Sequence, residues 1–269
     1  MSFWICATCA VEHAEQPDVC AICADERQYV PAGGQRWTTL DEQIAAGYRV
    51  RVHEIEPGLY GIRSEPEAGI GQQALLVVTD GGNLLWDPLG FVDDDAARQV
   101  LEFGEVAAII ASHPHMYGVQ VEWSRRLGGV PVYISEADAQ WVARPDEQLK
   151  TWSGTLQPVP GVTVVQPGGH FPGSAVAHWT GADGKGVLLA GDTIGPNPDG
   201  SVTFMRSFPN RIPLSGAVAL RIAKQLEEFD YDRLYGNFGG LIPTGAHASV
   251  QRSAERYAAW TRGDYDHLT

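Results

Sequence analysis

The sequence predicts an α+β protein in which two sheets pack face to face with helices outside, preceded by a small cysteine-rich lobe. Three observations carry this reading. Apolar hairpins come first and strand–helix alternation follows, and that order recurs in a second half of the chain. All four cysteines lie between residues 6 and 23, and none follows. The 269 residues are 44% hydrophobic and 19% charged, an ordinary globular composition in a chain long enough to bury a core.

The elements follow in order. Residues 1–38 read as the lobe and 39–269 as the larger domain. Residues 40–46 read as a short helix or linking turn. Residues 50–55 alternate apolar and polar at period two, so they read as a strand, with Pro57-Gly58 as the turn to a partner strand at 59–62. An apolar strand at 74–79 pairs with 84–86 across the turn Asp80-Gly81-Gly82-Asn83. Residues 93–103 are helical in spacing and acidic at the start. Residues 106–111 are rich in Val, Ile and Ala and read as a strand buried on both faces. A helix is predicted at 119–127, a strand at 131–134, and a helix at 135–143 that Ser135 can cap. Strands follow at 162–166, 175–180 and 186–190. Residues 215–229 form an amphipathic helix, 233–236 a short strand, and 249–260 a closing helix. The stretch from Pro196 to Pro213 reads as a flap over a site or an interface loop.

The formal net charge is −14. Such a field repels phosphate backbones and anionic membranes, so neither nucleic acid nor a membrane is an expected partner. No run of about 18 apolar residues is present, and Met1-Ser2-Phe3-Trp4-Ile5-Cys6 lacks a basic segment followed by an apolar one. A cytoplasmic protein acting on a small molecule is the expectation, with oligomeric state open.

Cys6-Ala7-Thr8-Cys9 and Cys20-Ala21-Ile22-Cys23 are two C-x-x-C knuckles. Each aims two sulfurs at one point, and the pair completes the tetrahedron of a closed structural Zn²⁺ site. The lobe is too short to bury a core, so a metal would be its main source of folding free energy. His13 is expected at the surface. The acidic setting (Glu12, Glu15, Asp18, Asp25, Glu26) suits a packing or protein-contact element rather than a nucleic-acid reader.

A second constellation lies at strand ends. His113-Pro114-His115 places two imidazoles at i and i+2, where alternate side chains point the same way. Gly168-Gly169-His170 adds a third on a glycine-rich loop, and Gly191-Asp192-Thr193 adds a carboxylate. Three His and one Asp suit zinc, iron or manganese. Trp123, Trp141, Trp152 and Phe204 are candidates for a pocket wall as well as for core packing.

Residues from about 50 to 262 resemble the metallo-β-lactamase-fold hydrolase superfamily. The resemblance rests on Ser112-His113-Pro114-His115, on Gly169-His170-Phe171-Pro172-Gly173-Ser174, and on Leu189-Ala190-Gly191-Asp192-Thr193, with Asp87 after the strand 84–86. It implies an αββα sandwich behind a zinc-ribbon-like knob, with His113, His115 and His170 as ligands of a first metal, Asp192 beside them, and Asp87 bracing the site. It implies a reaction class only loosely, since the superfamily includes thioesterases, lactonases, lactamases, nucleases, dioxygenases and diiron proteins. The chain departs from the family where the second metal would sit. Tyr117 and Gly118 replace an Asp and a His, and Phe238 stands in the Gly-His-Gly turn, with His247 nearby as a helix-cap residue. The expected activity is therefore that of a one-metal hydrolase of a small ester, thioester or lactone. Asp192 and Tyr117 are its candidate catalytic residues, although Tyr117 is a poor base near neutral pH. The alternatives are a mononuclear iron dioxygenase built on His113, His170 and Asp192, and a non-catalytic scaffold on a decayed hydrolase fold.

Overall fold

In the computed structural model residues 3–269 are described; Met1 and Ser2, where the expected lobe begins, lie outside the described residues. Successive residues of a strand face opposite sides, and the apolar runs use both. In the strands Ala74–Val77, Asn83–Trp86 and Val106–Ile110, the side chains of Leu75, Leu84 and Ile110 turn one way, into the space between two sheets. Leu76, Leu85 and Ile109 turn the other way, toward the outer layer. The first sheet has seven strands, in the order Leu149–Trp152, Val132–Ser135, Val106–Ile110, Asn83–Trp86, Ala74–Val77, Leu59–Glu65, Arg49–Glu56. The second has six, in the order Thr155–Leu156, Val162–Val165, Val176–Trp179, Val187–Leu189, Arg233–Tyr235, Leu241–Ile242.

The inner faces meet in one apolar layer. Leu75, Leu84, Trp86 and Ile110 of the first sheet pack with Val162, Val164, Ala177 and Leu189 of the second. Helices Asp94–Leu101 and Gln120–Arg126 cover the outside of the first sheet, and Gly216–Leu226 and Ala246–Thr261 that of the second. The result is the expected αββα sandwich. Sequence signals fix several helix starts. Ser215 caps Gly216–Leu226 by accepting from Val218 N, and Thr39 and Glu42 form a capping box that settles 40–46 as a helix.

Some elements differ from expectation. The helix predicted at 135–143 is a 3-10 helix, Glu136–Trp141, and the Ser135 side chain does not cap it. Asp138 is buried and accepts from Gly173 N instead, so its carboxylate serves a loop and not a helix terminus. The pattern also missed the edge strand Leu149–Trp152, whose middle residues are exposed and polar.

The lobe is a three-stranded sheet, Glu12–His13, Trp4–Cys6 and Trp37–Thr38, with the short helix Ala21–Ala24. Its buried residues share a core with Leu89, Phe91 and Tyr117 of the sandwich. A Cβ on Gly90 would come within 2.0 Å of Ala10 Cβ, so only glycine admits this approach. Glu12 is the polar clamp: its Oε1 accepts from Val121 N and its Oε2 from Arg144, both at 2.6 Å. No helix among the described residues is long and apolar enough to cross a membrane.

Candidate metal centres

The parallel strands Asn83–Trp86 and Val106–Ile110 end at Asp87 and Ser112-His113, and Val187–Leu189 and Arg233–Tyr235 end near Asp192 and Asn237. These four ends meet at one edge of the sandwich. His113 is extended, as the residue before a proline should be, and Pro114 starts a 3-10 turn that carries His115. The two histidines therefore converge through a turn and not through strand alternation. Gly191 has φ +51°, and a Cβ there would meet Ser112 Oγ at 2.6 Å, so glycine lets the loop of Asp192 close on the loop of His113.

The structure brings His113, His115, His170 and Asp192 together, with one ligand atom from each lying within 4.8 Å of all the others. The ring centroids form a triangle with sides of 5.2, 4.8 and 5.2 Å. Asp192 Oδ2 stands 3.4 Å from His113 Nε2 and 3.8 Å from His170 Nε2. His170 Nε2 faces His115 Nδ1 at 3.3 Å.

Their neighbours set the tautomers. Ser112 Oγ donates to Asp87 Oδ2 at 3.0 Å, so it accepts from His113 Nδ1 at 2.9 Å. His170 Nδ1 donates to the carbonyl of Met205 at 3.1 Å. Both rings thus turn an Nε2 lone pair inward, the arrangement that second neighbours impose on metal-binding histidines. Burial pulls His115 well below the usual imidazole value and His170 down to about 4. Burial would raise Asp192, but the imidazoles that face it, His113 foremost, hold it at about 2. Neutral His115 and His170 beside an ionised Asp192 are the protonation state that ligation needs.

These residues fit a metal ion. His113 Nε2 and His115 Nε2 are buried without a hydrogen-bond partner, and inward lone pairs facing one another are unfavourable unless a cation lies between them. Among the described residues, the four cysteines form the other such cluster. They are free thiols, with Cys6 and Cys23 sulfurs 3.6 Å apart and those of Cys9 and Cys20 3.7 Å apart. Zn–S bonds of about 2.3 Å place tetrahedral sulfurs ~3.8 Å apart, so the spacing suits an ion and not disulfides. His13 is not at the surface as expected. It is buried edge-on to Trp37, with its Nε2 3.5 Å from Cys20 Sγ, a contact that supports a thiolate. Gln35 Nε2 donates to Cys6 Sγ at 3.1 Å.

Asp87 lies directly behind His113. It accepts from Ser112 N at 2.5 Å and from Asn237 Nδ2 at 2.6 Å. Tyr117 is placed away from the cleft lining. Its hydroxyl donates to the carbonyl of Asp138 at 3.1 Å, and burial lifts its pKa well above 10. A buried phenol committed to a carbonyl is not available to a substrate. Phe238 is exposed on the cleft rim, and His247 lies in the closing helix, bonded to the carbonyl of Glu227.

A cleft of about 360 Å³ opens on His115, His170 and Asp192, walled by Thr8, Gln28 and Tyr29 of the N-terminal segment and by Ile70, Phe208 and Phe238. Phe208 belongs to the stretch expected to be a flap or an interface loop, which forms two short hairpins, Gly195–Pro196 with Val202–Thr203 and Met205–Ser207 with Ile212–Pro213. Larger surface depressions, of about 630 Å³, lie beside Gln166 and along 49–53, and neither touches a metal-capable cluster. Trp123, Trp152 and Phe204 are core residues, and Trp141 packs on Phe171.

Sequence reasoning missed Arg27, Met205, Asn237 and Asp138. Each acts through a contact distant in sequence, with no local signal to mark it.

Comparison with known proteins agrees with this fold. The family described as the metallo-beta-lactamase superfamily matches residues 69–237. The uncharacterized protein YmaE of Bacillus subtilis (strain 168) is 44% identical over 264 residues, covering 96% of each chain. The FIM-1 metallo-beta-lactamase of Pseudomonas aeruginosa in its mono-zinc form superposes with a TM-score of 0.55 at 17% identity, covering 78% of this chain and 96% of that one. The VMB-1 structure gives a TM-score of 0.58 at 14% identity, covering 80% of this chain and 98% of that one. These structural likenesses show the fold.

Proposed function

The chain belongs to the metallo-beta-lactamase superfamily, and from that premise we propose that it is a hydrolase using one metal ion at His113, His115, His170 and Asp192. The observation that carries this reading is the pair of buried, partnerless histidine nitrogens converging with an ionised carboxylate. When bound, such an ion supplies Lewis acidity and makes a water nucleophilic near neutral pH. Zinc is the ion proposed for both centres. The four reduced thiols suit a reducing compartment such as the cytoplasm.

The chain's own residues do the rest. Ser112 and Met205 hold His113 and His170 in the tautomer that presents Nε2. Asp192 is the one carboxylate among the described residues lining the cleft, so it is placed to orient the attacking water by accepting a hydrogen bond from it. Tyr29, Phe208, Phe238 and Ile70 give the substrate an apolar seat, and Gln28 offers an amide.

Among the described residues, no Lys or Arg lines this cleft or the adjoining one of about 210 Å³. A substrate carboxylate, such as that of a β-lactam, meets no cationic side chain there. Uncharged esters, thioesters or lactones fit better. The test is hydrolysis across an ester, thioester and lactone panel by metal-loaded protein. Turnover that chelation abolishes and His113→Ala lowers by at least about a thousandfold is expected. Turnover indifferent to both would sink the reading.

A further inference from the structure

The short segment after Cys23 reaches from the four-cysteine lobe to the back of the histidine centre. Arg27 is buried, and its Nε donates to the backbone carbonyl of His170 at 2.7 Å. Its guanidinium lies 4.0 Å above the ring of Phe171, which touches all three metal-capable imidazoles. Asp25 pairs with it at 2.7 Å and offsets part of its charge.

The hairpin 205–213 closes the arrangement. Ser207 Oγ donates to the carbonyl of Arg27 at 2.9 Å, and Asn210 Nδ2 donates to the carbonyls of Glu26 and Gln28 at 2.8 and 2.9 Å. The same hairpin offers the Met205 carbonyl to His170 Nδ1. The lobe therefore grips His170 twice, at its backbone through Arg27 and at its ring through the hairpin that Arg27 and its neighbours hold.

The segment 25–29 is held between that hairpin, which adds the Arg206–Glu26 pair, and the second cysteine knuckle, from which it leaves. The lobe has no core of its own without the sandwich, and its four buried sulfurs crowd one another at 3.6 and 3.7 Å. An ion there would supply the folding free energy of the knuckles and of the segment that leaves them.

We propose that the four-cysteine lobe is a working part of the histidine centre: Arg27 is a positioning residue for His170, and metal in the lobe governs how tightly the centre binds its own ion. This rests on the reading that the centre binds metal.

The experiment uses the full-length protein and Co²⁺ as probe. Thiolate-to-cobalt charge transfer reports the cysteine site alone, and the ligand-field bands of the nitrogen and oxygen centre report the other. Affinity at each is read by competition with a chromogenic chelator. Arg27→Ala is expected to weaken cobalt binding at the histidine centre by about tenfold or more and to shift its ligand-field bands, with the thiolate band intact. Arg27→Lys, which retains one donor, is expected to restore part of the affinity. Cys20→Ser/Cys23→Ser is expected to weaken the histidine centre likewise; should that variant misfold, Arg27→Ala decides alone. Histidine-centre affinity and bands unchanged in Arg27→Ala would overturn the proposal and leave the hydrolase reading standing. Wild-type protein that takes up cobalt only at the cysteines would overturn both.

Discussion

Asn237 Nδ2 donates to Asp87 Oδ2 across 2.6 Å, and this bond ties the C-terminal edge of one sheet to that of the other. Asp87 also takes the N–H and the hydroxyl of Ser112, and through that hydroxyl it sets the ring of His113. It does so from φ +56°, a left-handed conformation that Asp tolerates better than most residues. One fully buried carboxylate thus joins both sheets and orients a candidate ligand.

Asp87→Ala would leave Ser112 N–H and the Asn237 amide buried without partners. It should cost about 2–4 kcal/mol of stability and weaken metal binding at the histidine centre roughly 10–100-fold. Denaturant unfolding and chelator competition measure the two effects. A loss of stability with unaltered affinity would mean that Ser112 alone orients His113.

Metal content separates the two centres. Wild-type protein should carry two ions per chain by elemental analysis. Cys6→Ser/Cys9→Ser should lose the lobe ion, and His113→Ala/His170→Ala should lose the other while keeping the lobe ion. The element found at the histidine centre then chooses between zinc hydrolysis and iron oxygenation. A single ion, lost only with the cysteines, would favour a scaffold role.

The contrast between the legible and illegible parts of the centre has a physical basis. His113, His115 and His170 stand beside apolar strands or glycine turns, and Asp192 ends a strand, so the strand pattern placed them at an edge; Asp87 was marked by the family resemblance. Cysteine spacing did the same for the lobe. The supports had no such marker. Arg27 meets His170 across 143 positions and Asn210 meets Gln28 across 182, so each looked like an ordinary surface residue. His13 was misread for the same reason, since nothing near it in sequence announces Cys20 and Trp37 as its packing partners. Asp138 lay inside a stretch read as a helix, and only the docking of the 169–174 loop made its carboxylate an acceptor for Gly173.

Glu12 and Arg144 hold the lobe on the sandwich, both nearly fully buried. Removing one partner leaves the other charge buried and uncompensated, so Arg144→Ala should destabilise the protein by about 3–5 kcal/mol. The loss should appear first as protease cleavage within 1–38, since the clamp joins the lobe and not the sheets. Uniform loss of stability with no preferential cleavage there would show that lobe and sandwich unfold as one unit.

Tyr29 and Phe238 are the most exposed aromatics of the cleft, at 52% and 51%. Neither hydrogen-bonds a metal-capable residue, so as cleft walls both are placed to contact a substrate without shaping the centre. Tyr29→Ala and Phe238→Ala should each raise KM about 3–30-fold for the bulkiest good substrate, leaving kcat within about twofold and metal affinity unchanged. Loss confined to KM is the signature of binding that ground state and transition state share. An equal fall in kcat would instead mean that these rings close over the reacting centre and exclude water from it.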